Sequence, residues 1–275
     1  MEKRSRGRPR SAFTESTAPT LQALDRALLV LEHLARAEDR TLTGISEALD
    51  IPAPTTHRIL TTLQNRGFAA FDNAAQTWAV GIEAYRTGSA YLRRTTLLDA
   101  ARPVMRHLME ATGETANLAV QDGTEVVFVG QVESRNPIRA FFHPGTRTAM
   151  HASGTGKAIL AALPRDRRDR LIGSMQLTAF TGSTLSHRPV LEADLDKTAA
   201  RGWSFDREER HIGMSCMGAA IRDARGEVVG GISISGPSAR FTEARLAAFG
   251  AEVARAAAEI SAAIGATAAP DTAGS

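Results

Sequence analysis

A chain of 275 residues is long enough for two domains, and 43% apolar residues allow each an ordinary core, although a net charge of +3 is too small to argue for nucleic acid. The single cysteine, Cys216, excludes an internal disulfide framework and fits a reducing compartment. No apolar run approaches the ~20 residues of a membrane span, and the basic N-terminus has no apolar stretch behind it, so the chain reads as cytoplasmic and soluble.

Residues 1–20 gather Lys3, Arg4, Arg6, Arg8 and Arg10 against Glu2 and Glu15 without apolar periodicity, and read as a disordered basic arm. Its centre, Arg6-Gly7-Arg8-Pro9-Arg10, resembles an AT-hook, in which arginines around a compact Gly and Pro follow a narrow, electronegative minor groove. A solubilising basic tail accounts for the same residues equally well.

Residues 21–81 read as a winged helix-turn-helix. Ala23–Ala35 places Leu24, Leu28, Leu31 and Leu34 at helical spacing, and Asp39-Arg40 breaks the pattern. Leu42–Leu49 predicts the next helix, with Ile45 and Leu49 inward and Thr43 capping its start. Pro52 and Pro54 bracket a turn, and Pro54 suits a first helical turn because its missing N–H costs nothing there. From Thr55 to Arg66, Ile59, Leu60 and Leu63 point inward, while Thr55, Thr56, His57, Arg58, Thr62 and Gln64 point outward. No acidic residue lies between Asp50 and Asp72, as a helix lying in a major groove requires, since the phosphates would repel carboxylates. A solvated helix with a polar face is the plainer alternative, but the turn, the prolines and the missing acids agree on the first. Arg58 is the first choice for a base or phosphate contact, with Thr55, Thr56 and His57 beside it and Thr62 one turn on. Residues 68–71 and 77–80 flank Asp72-Asn73 and predict a two-stranded wing.

Residues 82–111 read as a linker helix joining two halves and helping to make a dimer, with Leu92, Leu97, Leu98, Val104 and Leu108 as apolar contacts. Gly88 and Pro103 argue against one straight rod. From Thr112 the pattern mixes strand and helix, giving an α+β effector-binding domain of the GAF or PAS kind over residues 112–265 and a loose tail over 266–275. Strands are expected at 117–121 and 125–132 around Asp122-Gly123, at 138–142, and in a hairpin of 218–223 with 227–235 around Ala224-Arg225-Gly226. Helices are expected at 152–163, ended by Pro164, at 189–202 on Leu191, Leu195 and Ala199, and after Thr242 as cap, on Leu246, Phe249, Val253 and Ile260.

Several residues here carry possible chemistry. In Gly230-Gly-Ile-Ser-Ile-Ser235 the two serines share one face, about 7 Å apart, and the pattern alone places the isoleucines in the core and the serines in water. His151-Ala-Ser-Gly-Thr-Gly-Lys157 opens a helix whose free N–H groups favour an anion, but Ala158 stands where a P-loop needs Ser or Thr, so ATP is not expected. Cys216 has no diagnostic partner spacing for a nucleophile and defaults to a buried thiol. His143, His151, His211 and Cys216 lack zinc-ligand spacing; neither metal nor cofactor is expected.

Taken together, residues 23–264 resemble the IclR family of bacterial transcriptional regulators. The likeness rests on the helix-turn-helix, Thr112-Gly-Glu-Thr115, His151-Ala-Ser-Gly-Thr-Gly-Lys-Ala158, Gly202-Trp-Ser-Phe-Asp206, Gly213-Met-Ser-Cys216 and Ser233-Ile-Ser-Gly-Pro237, in family order. The resemblance implies a homodimer or dimer of dimers (a homotetramer) that binds double-stranded operator DNA and a small carboxylate effector. It implies no enzyme activity. In members that sense small 2-oxoacids such as glyoxylate or pyruvate, an Asp, a Cys, a Ser-x-Ser pair and two backbone amides hold the ligand; these map onto Asp206, Cys216, Ser233, Ser235, Gly154 and Thr155, with Met214 as an apolar wall. Thr155 departs from the family, where a smaller residue is common and leaves more room. The carboxylate needs donors, while Asp206 needs a proton or hydroxyl between itself and the ligand, which the gem-diol of hydrated glyoxylate provides and pyruvate, less hydrated, supplies poorly. The expectation is a regulator responding to glyoxylate first; a different carboxylate, pyruvate or an aromatic acid, is the alternative. Further off stand an aldehyde-acting enzyme using Cys216 and a constitutive DNA-binding protein with an empty sensor domain.

Overall fold

Apolar residues at three- and four-residue intervals build a small helical core before any sheet begins. The computed structural model describes residues 21–37, 40–93 and 97–265, which divide into two units between Arg93 and Arg94. The basic arm with Arg6, Arg8 and Arg10, the break at Asp39 and the tail from Ala266 lie outside the described residues.

The first unit runs α1 (Gln22–Arg36), α2 (Leu42–Leu49), α3 (Ala53–Asn65), β1 (Ala69–Asp72), β2 (Thr77–Val80) and α4 (Ile82–Arg93). Val30, Leu34, Ile45, Ile51, Leu60 and Trp78 form its core. The predicted stripe on α1 is rotated: Val30 and Leu34 are buried, whereas Leu24 and Leu28 are 56% and 51% exposed. The cap of α2 is Thr41 and not Thr43; the Thr41 hydroxyl accepts the Gly44 N–H at 3.1 Å from the residue before the helix, where an N-cap must sit. The turn into α3 is organised on one carbonyl. Asp50 takes the left-handed conformation, φ 50°, and the Ile51 carbonyl then accepts hydroxyls from Ser46 at 2.6 Å and Thr56 at 3.1 Å. In the wing β1 and β2 pair antiparallel, with Phe71 opposite Trp78.

Within 82–111 the described residues fall in two helices on either side of residues 94–96. The α4 helix belongs to the first unit, and α5 (Leu97–Thr112) belongs to the second, where Leu97, Val104 and Leu108 enter the core. There follow β3 (Thr115–Asp122), β4 (Glu125–Val132), β5 (Arg147–Ala149), α6 (Gly154–Ala162), α7 (Arg165–Ser174), α8 (Arg188–Arg201), β6 (Ser204–Arg207), β7 (Met214–Arg222), β8 (Val228–Pro237) and α9 (Glu243–Ala263). Six strands form one antiparallel sheet in the order β5-β4-β3-β8-β7-β6. Ala116, Leu118, Met217, Ile232 and Ile234 pack one face against α5 and α9. Helices α6 and α8 cover the other through Ile159, Leu160, Leu191 and Leu195.

Residues 138–142 form no strand. Their carbonyls are taken by side chains, Arg240 donating to Ile138 at 3.0 Å and Thr115 to Ala140 at 2.9 Å, so no ladder forms; the strand lies later, at Arg147–Ala149. The helix expected from Ala152 opens as a 3-10 turn, Met150–Ala152, and α6 starts after Ser153, whose hydroxyl accepts the Gly156 N–H at 3.2 Å. The β7 strand begins at Met214, four residues before the expected hairpin arm. On α8 the third buried residue is Thr198 and not Ala199, and Thr242 precedes α9 without a side-chain capping bond. The charged α7 carries too few apolar residues for a stripe and escaped the pattern; it docks through Ile172.

Candidate functional site

Residues directly opposite in antiparallel strands share a face, and this rule assembles the site. Asp206 lies opposite Cys216, Cys216 opposite Ser235, and Ser235 opposite Thr115. The adjacent row joins Ser204, Gly218, Ser233, Asn117 and Gln131. Gln131 donates to Asn117 at 3.0 Å, and Asn117 donates to Ser235 at 3.3 Å. The serines do not face water as the alternation predicts; both are buried, because α6 lies on this face.

Glycine lets that helix approach. A Cβ on Gly154 would sit 2.8 Å from the Cys216 sulfur, and one on Gly218 would sit 2.8 Å from the Gly154 carbonyl. Ser204 donates to the Gly154 carbonyl at 2.5 Å and ties α6 to β6. The Thr155 N–H is directed at the Cys216 sulfur. The Thr155 hydroxyl is buried without a hydrogen-bond partner, and the buried Ser233 side chain is directed at Cys216.

Beside this row lies a cavity of about 40 Å³ whose wall includes Asp206, Met214, Cys216 and Ser235, together with Arg210 and Phe128. Of the predicted ligand residues, Gly154, Thr155 and Ser233 stand behind that wall and not on it. Burial pushes the Asp206 carboxyl up to about 6, against the Glu209 N–H that it accepts at 2.8 Å and the nearby Lys157. Burial, then Asp206, pushes the Cys216 thiol up to about 11, so it is protonated at neutral pH and lacks the thiolate that nucleophilic chemistry uses.

Sequence reasoning missed the charged cluster beneath the cavity. Lys157 is fully buried, and its ammonium donates to Glu209 at 2.5 Å and Phe205 O at 2.6 Å and pairs with Asp194 at 2.9 Å. Burial opposes its charge, but Glu209 and Asp194 outweigh burial and hold its pKa above the ordinary lysine value. Burial moves Glu209 up, with Lys157 opposing. Thr181 and Thr184 donate to the carbonyls of Glu208 and Glu209 at 2.7 and 2.6 Å. The segment carrying Asp206 is thereby fixed at both its side chains and its backbone. His151 uses Nε2 on the Thr178 carbonyl at 3.0 Å and stacks on Phe180. Among the described residues no three His, Cys, Asp or Glu side chains gather as metal ligands.

In the first unit, His57, Arg58 and Thr62 are exposed on α3 and Thr55 is half-buried. Thr56 is the exception: it is fully buried, its hydroxyl spent on Ile51, and it cannot reach a base. Asn65 and Arg66 extend the exposed polar surface at the end of α3.

Comparison with known proteins covers both units. The IclR helix-turn-helix domain matches residues 23–73, and the bacterial transcriptional regulator IclR C-terminal domain matches residues 89–262. The HTH-type transcriptional regulator BhcR of Paracoccus denitrificans is 47% identical over 262 residues, 94% of each chain. The HTH-type transcriptional repressor AllR of Escherichia coli is 39% identical over 270 residues, covering 98% of this chain and 99% of its own. The crystal structure of the Thermotoga maritima IclR superposes with a TM-score of 0.74 at 29% identity, covering 88% of this chain and 98% of the other.

Proposed function

The chain belongs to the IclR family of bacterial transcriptional regulators and is a ligand-responsive DNA-binding protein, and we propose that its effector is a small 2-oxoacid, hydrated glyoxylate first. The observation that carries this reading is the cavity of about 40 Å³ walled by Asp206, Cys216 and Ser235. A cavity that accepts benzene measures about 150 Å³, so an aromatic acid requires the wall to open, whereas a two-carbon acid requires far less. The donor set supports the same class. Ser235 and the cysteine thiol offer hydrogens to a carboxylate, with Ser233 and the amides of Gly154 and Thr155 behind them. Asp206 accepts, and a gem-diol gives it a hydroxyl that unhydrated pyruvate lacks. Met214 closes the apolar side.

On the DNA side, Arg58, His57, Thr62 and Thr55 read the operator and Arg6, Arg8 and Arg10 follow the minor groove. Thr56 is withdrawn from that set. The protein works in the cytoplasm as a dimer or dimer of dimers, a reading supported by the exposed Leu24 and Leu28 of α1. It is not an enzyme, a reading supported by the protonated state of Cys216.

Calorimetry with glyoxylate, pyruvate and benzoate, beside a gel shift on DNA flanking its own gene, tests the proposal. Glyoxylate is expected to bind more tightly than pyruvate and to change the shift. Tight binding of benzoate with neither small acid bound refutes it.

A further inference from the structure

We propose that Arg210 is the cationic anchor for the effector's carboxylate, so that the cavity selects short acids carrying a hydroxyl on the carbon next to the carboxylate; this deepens the small-acid reading and rests on it. Arg210 lines the same cavity as Asp206, Cys216 and Ser235. Its guanidinium lies over the Phe180 ring, 3.8 Å from the centroid, and makes no ion pair among the described residues. The neighbouring cation, Lys157, is committed to Glu209 and Asp194. An anion entering the cavity therefore meets Asp206, two kinds of neutral donor, and one permanently charged group of opposite sign. A guanidinium also presents its donors as a planar fork that matches both oxygens of a carboxylate.

The root of this side chain is held. Glu209, its chain neighbour, is bonded to Lys157 at 2.5 Å, and the Glu209 carbonyl accepts the Thr184 hydroxyl at 2.6 Å. Arg210 can thus move from the Phe180 ring to a ligand by side-chain rotation alone. Phe180 is itself backed by His151, ring centroids 5.8 Å apart, so the resting platform stays in place. The two charged groups then divide the ligand. Arg210 takes the carboxylate, and Asp206 takes a hydroxyl on the adjacent carbon, which keeps two like charges from facing one another.

The test uses the full chain and calorimetry with glyoxylate. Arg210→Met leaves an unbranched apolar stem to cover Phe180 while removing the charge; Arg210→Lys keeps the charge and loses the fork. Loss of a charge-assisted pair predicts that glyoxylate binds about 10- to 100-fold more weakly to R210M, with R210K between R210M and the parent. Neither is expected to change the melting temperature by more than a degree or two, and affinity for DNA without effector should be unchanged. If the parent binds glyoxylate and R210M matches it within about twofold, or if R210K and R210M lose equally, Arg210 is not the anchor. A parent chain that binds no 2-oxoacid overturns the underlying reading and the anchor with it.

Discussion

Replacing Lys157 with methionine should unfold the second unit more readily than any conservative change in its apolar core. Methionine nearly matches the lysine stem, so little volume is lost and the cost is electrostatic. The ammonium has three donors and three partners, Glu209, Phe205 O and Asp194, and none of its side chain is exposed. Asp194 is 24% exposed and can turn to water, but Glu209, 5% exposed, cannot. Breaking a buried pair by removing one partner costs about 3–5 kcal/mol, and with only one carboxylate stranded we expect the lower end, about 3 kcal/mol at pH 7. Protonation of Glu209 offers relief. Burial already raises its folded-state pKa above the ordinary 4.5, and loss of Lys157 raises it further. A raised folded pKa contributes stability that is complete below the unfolded value and lost as pH rises through the folded one; with the parent's Glu209 already raised to about 8, the deficit should shrink as pH falls towards 8 from the alkaline side and stay level below it. The chain has two tryptophans, Trp78 in the first unit and Trp203 in the second. Urea unfolding followed by fluorescence in a Trp78→Phe background therefore reports on the second unit alone, which matters because two units need not unfold as one. Lys157→Met/Glu209→Gln should recover at least half of the loss. A deficit below about 1 kcal/mol, or one that is independent of pH, refutes the reasoning.

Two further outcomes follow from the corrected site. Thr56→Val should destabilise the first unit by about 1–2 kcal/mol, because one of two hydroxyls on the Ile51 carbonyl is lost, whereas Arg58→Ala should leave stability within about 0.5 kcal/mol and weaken the gel shift; the opposite pattern would return Thr56 to the DNA surface. If a ligand hydroxyl donates to Asp206, binding stabilises the ionised form, so glyoxylate affinity should fall as pH drops through about 6. In Asp206→Asn that dependence should vanish, and an affinity that rises on acidification would show that Asp206 binds as the acid instead.

The boundaries of α2 and the wing were legible because periodicity, proline and turn residues all mark them locally. Thr56 was misassigned although its signal was present: positions 56, 60 and 63 repeat at helical spacing, so the threonine shares the face of Leu60 and Leu63. Thr198 repeats the case, following Leu191 and Leu195 on the inward face of α8. Residues 138–142 alternate as a strand does, yet their bonding partners are Thr115 and Arg240, which no local pattern brings near. The adjacency of Asp206, Cys216 and Ser235 is likewise a matter of strand register between distant segments. It entered the sequence reading through family resemblance and not through spacing. Lys157 and Glu209 lie 52 positions apart, and neither carries a signal that pairs it with the other.

The burial of polar groups explains why this sheet is suited to sensing. Helices cover both faces, so residues that alternate as if half the strand met water are buried in either direction. A hydroxyl left unpaired there, as on Thr155, costs about 1–3 kcal/mol. An effector alters operator affinity only by binding two conformations unequally, and the cavity indicates which part can differ. The α6 helix is seated on β7 with no space between Gly154, Cys216 and Gly218, so it cannot advance. The connection from Arg207 to Gly213 is less covered beyond its anchor at Glu209: Ile212 is 82% exposed, and Gly213 takes φ 81°. That connection leads directly from Arg210 beside the cavity into β7 at Met214. An effector seated in the cavity would bear on the entry to β7, an inner strand of the sheet, before it could displace α6.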